Sequence, residues 1–133
     1  MIQGITYILN NDATFQGVVG QNKAATKYKA YPVICPLPEE APYSVVLLTG
    51  KNPYAECKNT VNSFSYSFDV VSYHKNFEDV VTLDDAVVSA LVGKTGAYNG
   101  VTFEEIRFDN TRDGEFSSDY KVFSRVSSFT AIV

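Results

Sequence analysis

The sequence predicts an α+β fold: a mixed or antiparallel sheet of about four to five strands, packed against one long amphipathic helix and short N-terminal helices. Three stretches carry that reading. Ser63 to Val70 alternates between Ser or Asp and an apolar side chain, Tyr43 to Thr49 is a compact apolar run, and Asn76 to Lys94 repeats its apolar residues at helical spacing. A chain of 133 residues suits one domain, 1–133, with enough length to bury a sizeable core.

In chain order, Ile2, Ile5, Ile8 and Leu9 stand at helical spacing, and Asn10, Asn11 and Asp12 are helix-capping residues that can close one turn and open another. Asp12 is placed to cap a second short helix through Val19, with Phe15, Val18 and Val19 on one face and Gly20 as the C-terminal stop. Gln21 to Lys29 is polar, carries three lysines and reads as a loop. Tyr31 to Tyr43 holds four of the five prolines, which remove backbone donors, so it reads as an edge strand or extended crossing segment.

Tyr43 to Thr49, bounded by Pro42 and Gly50, suits a central strand buried on both faces. Gly50 to Thr60 is turn chemistry. In the alternating strand that follows, Phe64, Tyr66, Phe68 and Val70 face the core while Ser63, Ser65, Ser67 and Asp69 face outward, which pairs it antiparallel with the apolar run.

The helix over Asn76 to Lys94 has Phe77, Val80, Val81, Val87, Val88 and Leu91 as its stripe, with Leu83 at the margin. Glu78 and Asp79 suit the positive end of the helix dipole, and Gly93 with Lys94 marks the stop. Each buried aliphatic chain contributes on the order of 1.5 to 3 kcal/mol, so Asp at Val88 or Leu91 is expected to unfold the domain. Turn residues Gly96, Asn99 and Gly100 lead to a strand Val101 to Phe108, a polar hairpin tip and a last strand Tyr120 to Val133. There Val122 and Val126 share one face and Phe123 and Phe129 the other, so a bulge or burial on both sides is expected.

Composition narrows the function. With 45% hydrophobic and 20% charged residues the chain is globular, and it has no run of the roughly 18 apolar residues a membrane span requires. The net charge of -4 argues against a surface built to grip DNA. The first residues lack the basic and apolar segments of an export signal, so Cys35 and Cys57 are expected as free thiols. His74, the one histidine, is the only base available to a cysteine nucleophile, and neither cysteine has a recognisable nucleophile context. No ligand set for a metal and no phosphate-cradling glycine loop is present, so no catalytic residue, cofactor or metal is expected. The doublets Glu39-Glu40, Asp84-Asp85 and Glu104-Glu105 read as solvated surface, because adjacent carboxylates point in different directions. Acidity is local: Val101 to Asp119 holds six acids against Arg107 and Arg112, which alone matches the net charge of the whole chain.

Four segments in this order, ILNNDATFQGVVG, AYPVICPLPEEAPYSVV, LDDAVVSALVG and NGVTFEEIRFDNTRDGEFSSDYKVFSRVSSF, resemble the phage tail-completion or tail-terminator family over nearly the whole chain. Tyr31-Pro32, Pro42-Tyr43 and the acidic segment with Arg112 and Asp113 are its most telling parts. The resemblance implies a structural virion subunit, assembled in the host cytoplasm as a homo-hexameric ring at the head-proximal end of the tail tube. Its partners would be the tail tube protein and a head-tail connector or neck protein, with DNA only passing through the channel. Arg107, Asp109, Arg112, Asp113, Glu115 and Asp119 are then the candidate partner-binding residues, on a hairpin facing the channel or the axial docking surface. Tyr31 to Tyr43 and Tyr120 to Val133 are the candidate sheet edges and are expected to form part of the subunit contact. The rival readings are a head-completion adaptor ring and, in another class, a small cytosolic ligand-binding domain or enzyme centred on His74 and the cysteines.

Overall fold

The structure is a computed structural model that describes residues 1–21, 28–33, 41–54 and 63–133. Its elements are helices α1 (Ile2–Asn10), α2 (Ala13–Val19) and α3 (Phe77–Leu91), and strands β1 (Ala30–Pro32), β2 (Tyr43–Tyr54), β3 (Ser63–His74), β4 (Gly96–Tyr98), β5 (Val101–Phe103), β6 (Glu105–Asp113) and β7 (Phe123–Ile132). Five strands form one mixed sheet in the order β1-β2-β3-β7-β6, with β1 parallel to β2 and every other pair antiparallel. The chain is therefore α+β, as its periodicities predict.

The N-terminal helices form where the capping residues place them. Asp12 Oδ2 accepts the Phe15 N–H at 2.9 Å, satisfying an otherwise orphaned donor of α2, and Gly20 ends the helix at φ +66°. Asn10 does more than end α1. Its side-chain amide exchanges two hydrogen bonds with the backbone of Ala30, at 2.9 and 3.1 Å, and so pins the helix to β1. Gly4 is required by packing, since a Cβ there would lie 2.7 Å from the Phe103 ring.

All three helices lie on one face of the sheet. Val46, Phe68, Val70, Phe129 and Ala131 point into that layer, and the Phe68 and Phe129 rings stack at 5.3 Å. The α3 stripe is rotated from the predicted one: Val80, Leu83, Val87, Ala90 and Leu91 are buried, with Leu83 at its centre. Phe77 is 45% exposed because it overhangs the sheet end and packs edge-on against Phe123. Val81 and Val88 are half-buried.

Several strand expectations are corrected. Tyr43 to Val46 is buried in β2, but Leu47 is half-buried and Leu48 is 46% exposed, because β1 pairs only as far as Val46. Phe64 and Tyr66 are half-buried rather than core, forming a shelf under Lys51, whose Nζ lies 4.2 Å from the Phe64 ring centre. Val101 to Phe108 is two strands from two sheets. Val101 and Phe103 share one parity and Ile106 the other, so a continuous strand could not bury all three, and the chain breaks at Glu104. Asn99 and Gly100, at φ +48° and +81°, form the two-residue turn of the β4–β5 hairpin, which lies against α1.

The last strand begins at Phe123 and lies inside the sheet between β3 and β6, so the expectation that it forms an edge fails; β6 is the edge. The irregularity expected in β7 sits in its partner, where Asp109 is an extra residue between the pairs Phe108–Phe129 and Asn110–Ser128. Val122 and Ser124 are buried opposite the helices, giving the expected burial on both sides. Cys35, Cys57, Glu39, Glu40 and the middle of Gln21 to Lys29 lie outside the described residues.

Candidate functional site

The six residues singled out from the sequence do not share a hairpin tip. Arg107, Asp109, Arg112 and Asp113 belong to β6, and only Glu115 and Asp119 lie on the connection 114–122. The tip was misplaced because polar side chains are tolerated along a strand with one open face, so the polar run that reads as a turn continues as ladder for four more residues, Asn110 to Asp113.

The open sheet face is wired from β6 to β3. Arg112 Nη2 lies 3.3 Å from Asp69 Oδ2, its Nη1 donates to Ser128 Oγ at 3.0 Å, and Ser128 in turn donates to Asp69 Oδ1 at 2.6 Å. Beside them Thr130 donates to Asp109 Oδ2 at 2.7 Å, and Arg107 Nε stands 3.7 Å from Glu105 Oε1. Exposed pairs of this kind contribute about 0 to 1 kcal/mol each, so they position charge rather than hold the fold. The other end of the same face is aromatic, with Tyr43 stacked on Tyr73 at 4.8 Å. The 114–122 connection folds beside it and leaves an open groove of about 530 Å³, walled by Val71, Val126, Phe116 and Tyr120.

On the helix side, the structure overturns one surface assignment. Asp85 is exposed, but Asp84 is 2% exposed beneath α3. Its carboxylate accepts from Ser127 at 2.5 Å and from Thr111 at 3.3 Å, and lies 3.7 Å from Arg125 Nε. Burial raises its pKa above the ordinary carboxylate range, while Ser127, Arg125 and Thr111 pull the other way. Arg125 also stands 3.7 Å from Asp113, and its buried Nε has no hydrogen-bond partner. Sequence spacing carried the signal: Asp84 follows Val80 by four and precedes Val87 by three, which places it on the buried stripe.

Above this cluster opens a notch of about 370 Å³ between α3 and β6, with Asp84 and Arg125 in its floor and Asp85, Val88, Phe108 and Thr111 in its walls. It adjoins the sheet edge. Ile106 O accepts from Gly93 N at 3.1 Å, so that carbonyl points away from β7, and ladder alternation turns the N–H and C=O of Phe108 the same way. Phe108 and Val92 are exposed beside it.

His74 is a local fastener: its Nδ1 accepts from Asn76 N at 3.2 Å ahead of α3, and its Nε2 lies 3.9 Å from Asp79. Burial lowers its pKa, against the pull of Asp79. Among the described residues no group of three or more His, Cys, Asp and Glu could hold a metal, and no helix is long and apolar enough to cross a membrane.

The sequence matches no protein-family model and no curated protein. Among 23 matching chains of solved structures, one from the "Virion of native gene transfer agent (GTA) particle" aligns over 100% of this chain and 93% of its own, with 17% identity and a TM-score of 0.74. That similarity is one of fold, and it runs the full length of the chain.

Proposed function

We propose that this chain is a structural subunit of a phage-like virion and, more narrowly, a tail terminator. In this reading it caps the tail tube as a homo-hexameric ring, joins the tube to a head connector or neck protein, and lets DNA pass through its centre. The observation that carries the virion assignment is the full-length likeness to a chain of a gene transfer agent particle. The narrower role rests on the sequence resemblance to the tail-completion family. A ring subunit needs two different patches that meet across each joint, and the β6 edge, with its alternating charges and outward backbone groups, is suited to be one of them. The role uses no active site.

Electron microscopy of particles assembled with and without the protein tests this reading. Overlong or uneven tails in its absence are the expected result. Tails of normal length that fail to join heads would instead make it a head-completion adaptor.

A further inference from the structure

We infer that the notch between α3 and β6 is the seat for Lys51 of a second copy of this chain, so that an acidic socket at one end of the strand order takes a lysine from the other end of its neighbour's sheet. This rests on the ring reading above and names the contact it requires.

The socket is built for an amphipathic cation. Val88 and Phe108 offer apolar walls for a methylene stem. In the floor Asp84 faces Arg125, and Asp85 adds an exposed carboxylate at the rim, so the lining holds two acids against one base. The local charge is negative, so a lysine complements it and an acidic side chain is repelled.

Lys51 is the matching piece by charge and by position. It is exposed on β2, three strands away from β6 in the order β2-β3-β7-β6, which is the opposed placement that a head-to-tail ring requires. Its side chain lies on the helix side of the sheet, as the socket does, since it sits over Phe64 and Tyr66. Among the described residues its ammonium rests on those two rings rather than against a carboxylate. Beyond Val46, β2 has no strand on its outer side among the described residues. Direction agrees as well: β2 and β6 run oppositely, so a rotation about an axis near the strand direction sets β2 of one copy antiparallel to β6 of the next, like the other joints from β2 to β6. A partner strand on an edge contributes backbone bonds, and a pocket for an alternate side chain fixes the register.

Charge reversal tests the contact without touching the buried cluster. Lys51→Glu and Asp85→Lys alter exposed residues, and both variants are expected to keep the native circular dichroism. Each alone is expected to lower the fraction of chain in rings, measured by native mass spectrometry, by about tenfold or more, and the double variant is expected to recover most of it. Rings indifferent to both reversals, or a double variant no better than the singles, would overturn the contact and leave the ring reading standing. A wild-type chain that stays monomeric at every concentration, alone and with tail tubes, would overturn both.

Discussion

Asp84 is the residue whose chemistry departs furthest from its surroundings. It occupies a core position of α3, held by two hydroxyls and faced by one guanidinium, and burial still wins by raising its pKa. The sign follows. An acid whose folded pKa lies above its unfolded value contributes stability that is full below the ordinary carboxylate range and is lost as pH rises through the raised value. Asp84→Asn, which keeps one acceptor for the hydroxyls of Ser127 and Thr111, offers an amide donor to the second and drops the charge, is expected to be at least as stable as the native chain at neutral pH and to lack the fall in stability that Asp84 contributes as pH rises. Asp84→Ala strands those groups and Arg125, and is expected to cost about 1 to 3 kcal/mol. Urea melts at about pH 4 and about pH 7 distinguish the cases. If Asn is as damaging as Ala, the ion pair with Arg125 carries the position and the hydrogen bonds do not.

At the level of elements, α3 shows what periodicity can and cannot specify. Val88 and Leu91 look equivalent in sequence, yet Leu91 is buried and Val88 stands at the rim of the notch. Leu91→Asp is expected to abolish the cooperative urea transition, whereas Val88→Asp is expected to remain folded and to lose about 1 kcal/mol. Equal loss in the two variants would show that the notch closes in solution. The helices were legible because Asp12 and Gly20 at α2, and Glu78 and Asp79 in the first turn of α3, are local signals that act on their own backbone. The alternation of β3 was legible for a similar reason, since pleat parity is local. Edge and centre were not: nothing in Tyr120 to Val133 records that two strands flank it, and the bulge that its mixed pattern foretold lies in β6. Asp84 was missed because the doublet was read as a pair of charges before it was placed on the stripe.

Among the described residues of the whole molecule, helices cover one side of the sheet, and the other carries hydroxyls, acids and two arginines at one end and aromatic rings at the other. Replacing Asp109, Asp113, Glu115 and Asp119 together with Lys is expected to preserve the fold. Asp109 and Asp113 lose one bonded partner each, at no more than about 1 kcal/mol apiece for exposed groups. The same change places basic groups where a channel or docking surface is proposed, and phosphates bind such groups by counterion release. Tail joining or DNA passage is therefore expected to fall, scored by microscopy and by ejection rate. Unaltered tails and wild-type ejection would reduce these four acids to solvated surface.

The extra residue at Asp109 also acts as a counter. In an unbroken strand, positions 107 and 112 fall on opposite faces; the bulge makes the interval even in effect, so both arginines meet the open face while Thr111 turns under to reach Asp84. The bulge in β6 is thus information in its own right. Removing Asp109 would leave a plain ladder with the same pairs, so both arginines would keep the open face and Thr111 would stay beneath it, whereas drawing Asp109 into the ladder as an ordinary pair would exchange inside for outside along the rest of the strand. A chain of the same length that lost the bulge would present opposite chemistry to a partner at this edge, and one that lost the residue along with it would not.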